Sequence, residues 1–60
     1  MNKYEDLTQV AKLSFHTARG DGMGNAGAFL KAVADVKNVA SDYNEFDAFR
    51  LVSGLRLLKP

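Results

Sequence analysis

Sixty residues and 6.6 kDa are enough for one domain and too few for two. With 47% hydrophobic and 25% charged residues and a single Pro, the composition is that of an ordinary globular chain and excludes disorder and fibrous repeats. Eight Lys and Arg against seven Asp and Glu leave a net charge of +1, too small to draw in a polyanion from a distance, and the absence of Cys excludes disulfides and thiolate metal sites.

The first element is an amphipathic helix predicted over residues 3–19. Tyr4, Leu7, Val10, Ala11, Phe15 and Ala18 recur at helical spacing and fall in one stripe about 140° wide. Asn2 and Glu5 have the spacing of a capping box, Glu5 and Asp6 suit the positive helix start, and Arg19 followed by Gly20 suits its end. Leu13 falls outside the stripe, beside Gln9, Lys12 and His16, and is expected at the surface, either as an isolated exposed leucine or as part of a second contact face.

Residues 20–27, GDGMGNAG, are predicted as a loop, since each glycine in a helix interior costs roughly 1 kcal/mol. Asn25 is the expected cap of a second helix over 28–43, whose stripe comprises Phe29, Ala32, Val33, Val36, Val39, Ala40 and Tyr43. Lys31, Asp35, Lys37, Asn38 and Asp42 lie opposite. Ala28, Ala32 and Ala40 would let the first helix approach closely, so the two are expected to form an antiparallel hairpin.

Asp42 and Glu45 again have capping-box spacing, so the chain is expected to break near Asp42 to Asn44 and to resume at 45. Residues 45–58 allow two readings. As a helix they spread Phe46, Ala48, Phe49, Leu51, Val52, Leu55, Leu57 and Leu58 around most of the circumference; as a strand over 49–58, Phe49, Leu51, Ser53, Leu55 and Leu57 share one face. Capping and leucine content favour the helix, with Ser53-Gly54 able to end it and leave 55–60 as a docked tail. The fold class predicted is therefore all-α: a helical hairpin plus a third C-terminal helical segment, with α+β as the alternative.

Few motifs point to chemistry. Gly22, Gly24 and Gly27 spell G-x-G-x-x-G with Asp47 twenty residues on, but a dinucleotide fold needs a buried strand before it and a parallel sheet around it, and what precedes it here reads as a helix. Arg19-Gly20-Asp21 matches a receptor-recognised tripeptide and reads as a turn. His16 is the only histidine, with no nucleophile or carboxylate that spacing forces beside it, so no catalytic residue, metal site or cofactor is expected. Arg50, Arg56 and Lys59 give the last dozen residues a basic excess, which makes a DNA- or RNA-binding regulator the alternative function. Those bases alternate with Leu and Val, however, and the residues 20–27 are longer than the three- or four-residue turn of a helix-turn-helix.

The C-terminal quarter holds more apolar side chains than two narrow stripes can cover. Phe46, Phe49, Val52, Leu55, Leu57 and Leu58 are therefore the candidate protein-interaction residues, and the expected function is that of a small non-enzymatic regulator, adaptor or inhibitor. A chain this short buries only about 60% of its unfolded surface, so a homodimer is expected as a way to bury more. The lack of Cys predicts a reducing, cytoplasmic setting. The acidic start lacks the apolar run of a signal peptide, and no segment nears the roughly 18 apolar residues of a membrane span. Compact cysteine-free chains of this kind are typical of accessory bacterial or phage genes.

Overall fold

The helical periods read from the sequence become three helices. The computed structural model describes residues 3–58, among which α1 runs Lys3–Gly20, α2 runs Asn25–Val39 and α3 runs Glu45–Gly54, with no strand. The capping role expected of Asn2 lies outside the described residues. No described helix is long and apolar enough to cross a membrane.

α1 ends through glycine chemistry. The Met23 amide donates to the Ala18 carbonyl and the Gly22 amide to the Arg19 carbonyl, the paired bonds of a Schellman turn, with Gly22 in the left-handed region at φ 96°. This turn consumes only residues 21–24, so the loop is shorter than the 20–27 predicted from glycine content: Gly20 belongs to α1 and Gly27 to the first turn of α2. Asn25 is likewise the first residue of α2 and not its cap. Gly24 holds that position in an extended conformation, with no side-chain bond.

α2 stops at Val39, four residues before the predicted boundary. Ala40 leaves the helical region, the Tyr43 amide donates to the Ala40 carbonyl at 3.0 Å, and Ser41-Asp42 form the turn between them. Val39, expected in the buried stripe, is exposed because the chain bends inward one residue later and buries Ala40 instead. The capping box that starts α3 is Asn44 with Asp47, not Asp42 with Glu45: the Asn44 side chain accepts from the Asp47 amide at 2.8 Å while the Asp47 carboxylate receives the Asn44 amide. With the helix begun there, Ala48, Leu51 and Val52 share the buried face, and the alternative strand over 49–58 does not form.

α1 and α2 pack most extensively, α3 lies chiefly on α2, and it touches α1 only lightly. Ser14 meets Asp35 and Lys3 meets Asp42, so partners move apart in sequence away from the loop, as in an antiparallel hairpin. The seam is made of small groups: Ala11, Ala18, Ala28, Ala32, Ala40 and Ala48 are all buried, and Leu7, Val36 and Val52 are the largest side chains that are fully enclosed. After α3, Arg56 adopts φ 54° as the chain turns back, and Leu55 and Leu57 fold partly against the core. The Cα radius of gyration, 10.6 Å, is near the roughly 10 Å expected of a compact chain of this length.

Two glycines of the same loop separate two effects. Gly22→Ala forces a side chain into the left-handed turn and should lower stability by about 1 kcal/mol. Gly20→Ala lies in the helical last turn with open space around it and should raise stability by about 0.5 kcal/mol. Urea unfolding followed by circular dichroism checks both signs.

Candidate interaction surface

Phe46 and Phe49 stand one helical turn apart on the outer side of α3, 65% and 47% exposed. They point outward because Ala48, Leu51 and Val52 occupy the face that meets the hairpin. Phe49 is fixed at its inner edge by a T-shaped contact with Phe29 of α2, with ring centroids 5.2 Å apart. The Arg50 guanidinium lies 5.6 Å from the centre of the Phe46 ring, close enough for a cation–π contact that holds the arginine along the apolar surface. The capping box at Asn44 and Asp47 anchors the start of the helix, so the two rings sit on a defined rod and not on a loose tail.

The six predicted interaction residues divide. Phe46, Phe49 and Leu58 reach the surface, Leu58 with 45% exposure. Leu55 and Leu57 are half-buried against the core, and Val52 is fully enclosed with no surface to offer a partner. Val52 therefore leaves the interaction set and joins the core. The excess of apolar groups is thus met in part by the fold, and its remainder is the two phenylalanines of α3 together with Leu58 after it.

Of the three basic candidates, the two described ones stand on different elements. Arg50 lines a shallow groove of about 410 Å³ together with Tyr4, Asp42, Tyr43, Asp47 and Leu51, so its nearest surroundings include two carboxylates. Arg56 is exposed in the turn after α3, and Lys59 lies outside the described residues. At the edge of this groove Lys3 pairs with Asp42, and its ammonium lies 5.5 Å from the Tyr43 ring centre. The hydrogen bond from Lys3, helped by a backbone donor, holds the Asp42 carboxyl below its ordinary value.

A second groove of about 370 Å³ runs between α1 and α2, lined by Val10, Leu13, Ser14, Thr17, Lys31 and Asp35. The Ser14 hydroxyl donates to Asp35 at 2.5 Å, and the Lys31 ammonium approaches the same carboxylate at 3.6 Å. This bridge was not legible beforehand: Ser14 sits on the same helix face as Leu7, Ala11 and Ala18, where a hydroxyl breaks the apolar pattern. Leu13 lies exposed on the rim, as its position off the stripe implies.

The remaining motifs find ordinary structural places. Gly22 makes the Schellman turn, Gly24 precedes α2 and Gly27 is helical, all following a helix where a dinucleotide site needs a strand. Arg19 donates to the Met23 carbonyl at 3.1 Å and so braces the turn in which Gly20 and Asp21 lie. His16 is exposed and meets the edge of Phe15 at 5.7 Å. Among the described residues no three His, Cys, Asp or Glu side chains come together as a metal-ligand set. No protein-family model, curated protein or solved structure matches the chain.

The Lys3–Asp42 pair ties the start of α1 to the α2–α3 turn, and its pH dependence has a definite sign. Because the folded-state carboxyl is held below its ordinary 3.8, the pair stabilises the fold above that value, and the contribution is lost as pH falls through the folded-state titration. Asp42→Asn should therefore melt below the parent near about pH 7, with the gap narrowing as pH is lowered below 3.8, in paired thermal melts.

Proposed function

We propose that this chain is a non-enzymatic protein-interaction module, a small regulator, adaptor or inhibitor that binds through Phe46, Phe49 and Leu58 and associates with itself as a homodimer. The observation that supports this reading is the pair of exposed phenylalanines on α3. Large aromatic groups fixed on a capped helix lose little freedom when a partner covers them, and aromatic and arginine side chains supply most of the binding energy at protein interfaces. Arg50 stacked on Phe46 adds a polar anchor to the same face. The setting proposed is a reducing cytoplasm, with which a chain free of cysteine agrees.

Photo-crosslinking in cells tests the surface directly. Benzoylphenylalanine in place of Phe46 should give discrete adducts at several-fold higher yield than the same group in place of Gln9, an exposed position on α1. Equal yields at the two positions would remove the reading.

A further inference from the structure

We infer that the occupant of the α3 face is α3 of a second copy, running antiparallel about a twofold axis that passes near Ala48. This rests on the reading of α3 as the interaction face and specifies its partner.

The argument comes from spacing and charge order along one short helix. Phe46 and Phe49 are three residues apart, and so are Asp47 and Arg50. A twofold axis perpendicular to the helix at the level of Ala48 brings each residue to within one position of its counterpart, a shift of about 1.5 Å that the long side chains span: Phe46 lies beside Phe49 of the second copy, and Arg50 beside Asp47 of the second copy. In an antiparallel pair each flank of a helix faces the same flank of its mate. Asp47 and Arg50 lie on one flank, together lining the groove with Asp42 and Leu51, so reversing the direction sets a positive group against a negative one at both ends. Parallel apposition would set each flank against the opposite flank of the mate, so the Asp47–Arg50 flank would not meet its counterpart. The other flank lies against α2, where Glu45 pairs with Lys37 at 3.4 Å and the inner edge of Phe49 meets Phe29, leaving the exposed part of that ring for Phe46 of the second copy. What remains open is the Phe46–Arg50 side, where the guanidinium lies along the ring with its donors free to reach an acid beyond it. Opposed helix dipoles favour the same direction.

The size of the contact sets its strength. A specific interface of roughly 1,000 Å² in total needs about 500 Å² from each copy, near one eighth of the 4155 Å² surface of the chain. Association is accordingly concentration-dependent, with half-dissociation expected between about 10 µM and about 1 mM.

Sedimentation equilibrium of the full chain supplies the test. The average mass should rise from 6.6 kDa toward twice that value over this concentration range. Phe46→Asp, which leaves the cap and the core intact, should weaken association at least about tenfold. Arg50→Glu and Asp47→Lys should each weaken it about fivefold alone, and their equimolar mixture should return to within about twofold of the parent, because the mixture restores two unlike pairs. Asp47→Lys also removes the carboxylate half of the capping box, so circular dichroism is read alongside, and Arg50→Glu carries the comparison if helix is lost. A parent chain that stays monomeric at about 1 mM, or a mixture no tighter than either variant alone, overturns the antiparallel pairing. If such a monomer still gives crosslinks to another protein from position 46, the interaction module stands and only its self-pairing falls. A dimer indifferent to Phe46→Asp overturns both.

Discussion

The arrangement depends on the alanine seam between α1 and α2. Interhelical distance follows the side chains at the contact, and Ala11, Ala18, Ala28 and Ala32, all buried in the core that α1 and α2 share, are small enough to let two backbones approach. A close seam leaves little interior volume. Phe15 is the one phenylalanine the core takes in; Phe29 sits at its edge, and Phe46 and Phe49 lie outside. The exposed aromatic face of α3 is thus what remains outside a core built mainly of alanine and valine.

A seam of methyl groups also buries less apolar area per residue than one of leucines, and stability scales with that area. The fold compensates at its ends. Gly22 closes α1 with a Schellman turn, Asn44 and Asp47 cap α3 reciprocally, Lys3 ties the first helix to the second turn, and the Ser14–Asp35 bridge crosses the groove between the long helices. These polar ties position the helices more than they stabilise them, since exposed pairs contribute little. For the proposed interaction role, positioning is what counts: the rings of Phe46 and Phe49 present a preformed surface, which lowers the entropy lost when a partner covers it.

The long helices were legible because their stripes repeat over four or five turns, and a 3.6-residue period cannot be mistaken over that length. Leu7, Ala11, Phe15, Ala18, Ala32, Val33 and Val36 are buried as their spacing implies. Boundaries were less legible. Asp42 with Glu45 and Asn44 with Asp47 offer the same cap spacing two residues apart, but Asp42 lies in the turn with Ser41, while Asn44 has the extended conformation that a cap requires. Glycine count likewise overstated the first loop, because a Schellman turn needs one residue in the left-handed region and the others are free to be helical.

Local sequence therefore determined the all-α class, the hairpin and the helix-forming character of the third segment, each of which rests on periodicity and capping within a few neighbouring residues. Tertiary packing alone decided which apolar groups of that third segment face inward. Val52 and Phe49 are three apart and similarly hydrophobic, yet the first is enclosed and the second half-exposed, since α3 turns the Ala48–Leu51–Val52 side toward the rest of the fold. Spacing within one helix fixes the relative directions of its side chains, whereas the identity of the buried side is set by a surface distant in sequence.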